Sequence, residues 1–495
     1  MAASLDTSPA GHSHAAGDTP LQPELASGLN IVGYFYDETG IGQAARSIVQ
    51  SLQSRGLPIA CTVVRSAASR QDDSAGQDLP HGHPYGMNLL HVNADQMDVV
   101  REELGSHFFA GKYNIGFWFW EVSPFPAIWL DHFQYLDEVW VGSRFVQNTL
   151  AQVAPVPVVN MGLPIPKPRR SQMGRGDLGL PEDKFLFLFV FDMLSVFERK
   201  NPLGLIEAYR RAFGPRSEHT ALVIKVIHSE HFPRDARQLR QAMASVSGLL
   251  LEEQMDREEL DGLFQACDAY VSLHRSEGFG LTLAEAMYLE KPVIATAYSG
   301  NTDFMNPGNS YLVEFQLTDL DRDYGPYPRG SIWADPNLDH AAQQMRQAFE
   351  DRDKSCTRTR RAAAEIERQY SMAAVATRVA ERLAVLERMG RTTREPKLRA
   401  GVNPAPMDQV WNTVAINSHL PIAWPDWPHG LLPKAIALVQ KVTRRILCWY
   451  IDPIVQQQNA FNAAVAETLN RLWRQAHQQR SDDGQACGKS RQDGE

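Results

Sequence analysis

Ser272-Leu-His-Arg-Ser-Glu277-Gly-Phe-Gly-Leu-Thr-Leu-Ala-Glu285-Ala-Met-Tyr-Leu-Glu-Lys-Pro-Val-Ile-Ala-Thr-Ala-Tyr-Ser-Gly300 is the stretch that decides the fold. An apolar run at 269–273 leads into it as a buried strand, a helical pattern covers 282–290, and a second apolar run follows at 292–296. Glu277 therefore stands at the carboxyl end of a strand, and Glu285 in the first turn of the next helix. Gly278 and Gly280 allow a tight turn and close approach of the backbone to a ligand. The start of the helix offers unpaired N–H groups to an anion. A ligand with polyhydroxyl ends and a phosphate centre suits such a site. A local reading fits the same residues: Thr282-Leu-Ala-Glu285 has the spacing of a capping box, with Glu277 a solvated loop residue and the glycines a plain turn.

Working outward, the chain alternates strands and helices. Residues 30–36 read as a strand, 37–42 as a glycine turn and 43–55 as a helix. Gly40-Ile-Gly42-Gln-Ala-Ala45 has the spacing of a dinucleotide turn. The next strand, 59–64, carries no acidic residue to hold a ribose, which argues against a nicotinamide cofactor. That loop serves either phosphate or acceptor contact, or a simple tight turn. Strands follow at 87–92, 113–120 and 136–142, the last leading to Ser143 as a helix N-cap. Residues 158–166 and the basic stretch 167–179 read as a linker. A second set of strands follows at 184–191, 221–227 and 248–251. The alternation predicts two parallel, doubly wound sheets. Arg199 and Lys200 fall at what reads as a helix start, where two cations are electrostatically poor unless an anion joins them. His91 reads as a buried structural histidine, with a ligand contact at its strand end as the alternative, and Trp118 and Trp120 read as core.

Composition agrees and excludes several classes. The chain has 495 residues, enough for two domains or more, with the apolar and charged content of an ordinary globular protein. Its net charge of -9 argues against nucleic acid as the main partner. Five cysteines, an odd number and scattered without metal-ligand spacing, read as reduced thiols of a cytoplasmic protein. No apolar run is long enough to span a bilayer. Asp321-Arg-Asp323 and Asp351-Arg-Asp353 follow no strand and read as charged surface.

The pattern from Ser276 to Met287, followed by Lys-Pro-Val-Ile-Ala-Thr and Ser-Gly-Asn-Thr-Asp, resembles the donor site of retaining family 4 glycosyltransferases (glycosyl transferases group 1). The resemblance covers roughly residues 29–390 and is strongest over 185–315. It implies an α/β chain of GT-B fold: two Rossmann-like domains with a cleft between them. It implies that Glu277 bonds sugar hydroxyls, Glu285 the ribose, and Arg199 and Lys200 the pyrophosphate, with these last two and Glu277 as the catalytic set. Gly278, Phe279, Gly280, Leu281, Thr282 and Ser195 complete the donor site, and Gly40 and Gly42 face the cleft. Two departures stand out. Glu121 occupies the place of a sugar-facing histidine, with His274 another cleft candidate, and Phe191-Asp192 stands where an arginine is usual. The resemblance also implies no metal and no cofactor.

The expected organisation is a disordered leader at 1–28, an acceptor-side domain at 29–166 and a donor domain at 167–370. A helix at 371–390 crosses back to the first domain. A linker at 391–410, a C-terminal helical extension at 411–478 and a disordered tail at 479–495 complete the chain. Within the extension, 433–450 forms a basic amphipathic helix that fits either a membrane surface, on the inner face, or a packed hairpin. The expected activity is transfer of a GDP- or UDP-linked hexose to a glycan or lipid-linked acceptor, in bacterial surface polysaccharide synthesis. A non-catalytic nucleotide-sugar-binding scaffold and a GT-B-type epimerase or phosphorylase are the alternatives.

Overall fold

The computed structural model describes residues 26–37, 39–64 and 79–390. The expectations for the leader, the 391–410 linker, the extension with its 433–450 helix and the tail lie outside these residues, wholly or, for the leader, nearly so. The first sheet is built from β1 (Ala26–Gly33), β2 (Ile59–Val63), β3 (Tyr85–His91), β4 (Tyr113–Trp118), β5 (Glu138–Val141) and β6 (Val158–Asn160). Its order is β2-β1-β3-β4-β5-β6, parallel throughout. The second holds β7 (Phe185–Asp192), β8 (Thr220–Ile227), β9 (Gly248–Leu251), β10 (Ala269–Ser272), β11 (Val293–Thr296) and β12 (Tyr311–Val313). Its order is β12-β11-β10-β7-β8-β9, also parallel. The predicted α/β architecture of two doubly wound sheets is the observed one. Strands such as Phe-Leu-Phe-Leu-Phe-Val-Phe-Asp in β7 are apolar on both faces because helices cover both faces of a parallel sheet.

Strand order fixes where a ligand can sit. In the first sheet the chain goes from β1 out to β2 and returns to β3 on the other side. In the second it runs β7-β8-β9 one way and then β10-β11-β12 the other. Each reversal leaves a crevice outside the carboxyl ends of the central strands, at β1/β3 and at β7/β10. The loop leaving β10 carries Glu277, and the loop leaving β7 carries Ser195, Arg199 and Lys200.

Two local expectations are corrected. The first helix spans Gly40–Ser54 and starts three residues early, because the Thr39 hydroxyl caps it by accepting from Gly42 N at 3.2 Å. Residues 158–160, read as linker, form β6, since Val158 and Val159 extend the sheet beside β5. Where a helix was expected at 371–390, one spans Met372–Arg388 with Ser371 as its cap. A hairpin absent from the sequence reading, β13 (Phe315–Asp319) paired with β14 (Ile332–Pro336), follows β12. Asp321 and Asp323 lie exposed in its loop, as read. Among the described residues no helix is long and apolar enough to cross a membrane.

The helix Met372–Arg388 packs on Gly40–Ser54, where Ser51 Oγ donates to Met372 O at 2.6 Å. Its Arg382 reaches Glu138 on β5, Nε donating to Oε1 at 2.9 Å and Nη2 to Oε2. Glu138 is fully buried and also accepts from Trp140 Nε1 at 2.6 Å and the Tyr113 hydroxyl at 3.2 Å. An uncompensated buried carboxylate is costly. Replacing Arg382 by Met is therefore expected to destabilise the fold by about 3 kcal/mol, read as a lower urea midpoint. An unchanged midpoint would mean that Arg382 is not what neutralises Glu138.

Candidate functional site

The loop from β10 to the helix Leu281–Tyr288 takes its shape from several directional contacts. Gly280, at φ +97°, ends it in a backbone conformation that glycine tolerates. Ser299 Oγ accepts from Glu277 N at 2.8 Å, and Gly300 N donates to Glu277 O at 2.9 Å. A β-carbon on Gly300 would come within 2.3 Å of Gly278 O, so only glycine fits there. Asn201 Nδ2 donates to Leu273 O at 2.9 Å. From the first domain, Ser143 Oγ donates to Gly278 O at 2.6 Å while also capping the helix Arg144–Ala151. Ser276 Oγ donates to the carbonyl of Glu121.

This frame brings Glu277 against Lys200 and Arg199. Lys200 Nζ lies 2.5 Å from Oε1, and Arg199 Nη1 lies 3.5 Å from Oε2. Arg199 is buried, donating from Nη1 to Ser276 O at 2.7 Å and from Nε to Ser195 O at 3.1 Å. Burial by itself would push the Glu277 carboxyl up, but Lys200 and Arg199 outweigh it and hold it at about 2. The pair sits in the last turn of a short helix, Phe197–Lys200, and not at a helix start as the sequence suggested. Cations are favoured there. Their anion in this structure is Glu277 itself, and the next helix begins after the Asn201 cap.

The other predicted residues divide. Glu285 is buried, but the capping box does not form: Gly280, not Thr282, is the N-cap. The Glu285 carboxylate instead takes Arg257 Nη2 at 3.2 Å. Burial pushes its pKa up and Arg257 opposes that. The Tyr270 hydroxyl donates to Val190 O at 3.3 Å, and Thr282 lies beside it. Ser195 contributes its carbonyl. The Phe279 ring packs in the core on Phe304 and Tyr370, leaving only its backbone to face a ligand. Gly40 lies across from Leu281, a β-carbon there standing 4.0 Å from Leu281 Cδ1. At Gly42 it would meet Asp37 O at 2.3 Å, which accounts for that glycine by close packing. Asp192 Oδ1 contacts His228 Nδ1 at 2.8 Å and accepts from Leu194 N at 2.9 Å.

Glu121 joins the cluster. Its Oε2 accepts from the Tyr327 hydroxyl at 2.9 Å. Tyr327, on the hairpin, is a site residue that sequence reasoning missed. The turn signal around Gly325 and Pro326 marks a hairpin, but nothing local says where its tyrosine points. Ser276, Ser299 and Arg257 were missed for the same reason. His274 is buried beside Glu277 with no protein partner for either ring nitrogen. Burial lowers it to about 4. His91 is buried as read, stacked on Phe117 at 4.9 Å, and burial lowers it to about 4 as well. Among the described residues no group of three or more His, Cys, Asp or Glu could hold a metal ion.

Comparison with known proteins matches residues 174–366 to the family described as Glycosyl transferases group 1. In fold the chain is similar to a sucrose-phosphate synthase from Thermosynechococcus elongatus, with a TM-score of 0.55 and 13% identity. That match covers 74% of this chain and 100% of the other. It is also similar to the Anabaena protein HepE, solved in complex with UDP and glucose, with a TM-score of 0.51 and 15% identity over 73% of this chain and 100% of the other. A glycosyltransferase from Rickettsia africae has a TM-score of 0.51 and 12% identity, over 72% of this chain and 98% of the other. At these identities the likeness establishes the fold, GT-B.

The buried histidine sets a pH dependence. His274 moves from 6.5 to about 4 on folding, so between those values the unfolded chain binds more protons and stability falls as pH falls. Glu277 moves from 4.5 to about 2, so its contribution is complete above 4.5 and lost toward 2. Replacing His274 by Leu should remove up to about 3 kcal/mol of the stability lost between neutral pH and pH 4. His91 leaves a slope of its own. Urea unfolding across that range reads it, and an unchanged slope would show that His274 titrates in the folded protein.

Proposed function

Residues 174–366 match the group 1 glycosyltransferase family, and we propose that this protein transfers a hexose, with retention of anomeric configuration, from a GDP- or UDP-linked donor to a glycan or lipid-linked acceptor. Bacterial surface polysaccharide synthesis, on the cytoplasmic side and without a metal, is the proposed setting. The observation that carries this reading is the pair of cations, the buried Arg199 and the largely covered Lys200, at the β7/β10 crevice with Glu277 between the two loops. The donor diphosphate takes Lys200 and Arg199, and Glu277 turns to the sugar hydroxyls. Glu285, one helical turn further on, takes the ribose, and the Gly278–Thr282 backbone lines the phosphate and sugar. As the sugar departs, negative charge collects on the diphosphate, where a preorganised ammonium and guanidinium stabilise it most. Glu277 acts by positioning the sugar and forms no covalent intermediate.

Isothermal calorimetry against UDP, GDP, ADP and their hexose conjugates tests the assignment. One nucleotide should bind well. Replacing Lys200 by Ala should weaken it by on the order of tenfold to a hundredfold, as for loss of a charge-assisted contact. Glu285→Ala should weaken it less, because its hydrogen bonds go to a neutral ribose. Failure of a folded wild-type protein to bind any of them would sink the donor site. Binding without turnover of any acceptor would favour a sugar-nucleotide scaffold.

A further inference from the structure

The hairpin β13–β14 is bonded to both banks of the cleft. On the first-domain side Ile332 N donates to Ser123 O at 2.7 Å. On the other, Ala334 N donates to Arg275 O at 2.9 Å, and Arg275 Nη2 pairs with Asp335 at 2.8 Å. Between the strands, Tyr324 and Tyr327 exchange backbone hydrogen bonds and the chain delivers the Tyr327 side chain inward, leaving the residue 4% exposed. Its ring packs 5.3 Å from Trp120 and 5.9 Å from the Arg199 guanidinium. Its hydroxyl occupies Glu121 Oε2. The other oxygen, Oε1, borders the Glu277–Gly278 backbone: a β-carbon on Gly278 would stand 3.6 Å from it.

We infer that Glu121, held in place by Tyr327, determines sugar specificity at the donor site and selects an uncharged hexose over a hexuronic acid. This rests on the donor-site reading above. With the diphosphate on Lys200 and Arg199, the nucleoside lies toward Glu285 and Arg257, inside the second domain. The sugar then projects the opposite way, toward the wall that Glu121 contributes from the first domain. A carboxylate there accepts hydrogen bonds from hydroxyls of a neutral sugar. A uronate would set two like charges face to face, and their repulsion costs affinity. Tyr327 is the positioning residue: its phenol engages one oxygen and presents the other.

Calorimetry on the full chain with UDP-glucose, UDP-glucuronic acid, GDP-mannose and GDP-mannuronic acid tests this, with UDP and GDP alone as controls. The wild type should bind the neutral member of its preferred pair on the order of tenfold or more tightly than the uronate. Glu121→Gln should bring the two within about threefold of each other while leaving the free nucleotide unchanged. Tyr327→Phe, which keeps the ring in place, should weaken only the neutral sugar, by about threefold or more. It carries the test should Glu121→Gln not fold. Equal binding of both sugars by the wild type, or a preference untouched in the folded variants, overturns the inference and leaves the donor site standing. Loss of UDP and GDP binding as well overturns both.

Discussion

A largely covered carboxylate shared by a lysine and an arginine holds this molecule's central crevice together. Glu277 leaves β10 and Lys200 and Arg199 leave β7, two strands adjacent in space but far apart in the chain. Charges this covered are costly unless paired and hydrogen-bonded, so neither loop is stable in its observed shape without the other. Arg199 strengthens the interlock through its backbone as well, its carbonyl accepting from Arg275 N at 2.7 Å. Val196, at φ 66°, lies in a region β-branched residues avoid. Such strain persists where the surrounding structure over-determines it, and it gathers at functional sites.

The two domains meet at the crevice through directional polar contacts. Ser143 reaches Gly278, Ser276 reaches Glu121, and Asp303 accepts from Arg144 N at 2.8 Å at the start of the helix Arg144–Ala151. An acidic side chain at a helix N-terminus is favoured by the helix dipole. On the far side the Met372–Arg388 helix ties the end of the second domain to the first through Arg382 and Glu138. The hairpin adds a third tie and, through Tyr327, connects the first-domain Glu121 to Arg199 of the second sheet.

Much of this was legible because it is local. The β10 run, the glycine turn and the following helix are a pattern of period and punctuation, and the apolar runs of β7 and β8 announce a sheet covered on both faces. The errors are also instructive. Thr282-Leu-Ala-Glu285 has capping-box spacing, yet Arg257, on a neighbouring helix, captures Glu285, and the helix already begins after Gly280, leaving Thr282 inside it. Arg199 and Lys200 were placed at a helix start because the short turn Phe197–Lys200 is too brief to leave a periodic signal. Tyr327 meets Glu121 across 206 residues of chain.

The sequence by itself determined the parallel α/β architecture, its division into two sheets and the strand-end placement of Glu277, because periodicity, glycine and apolar content act over a few neighbouring residues. Only the tertiary structure decided which charges meet. Glu277 with Lys200, Glu285 with Arg257, Glu138 with Arg382 and Glu121 with Tyr327 are pairings between separate elements. They are set by strand order and by the cost of burying a charge without a partner, and no local spacing encodes either.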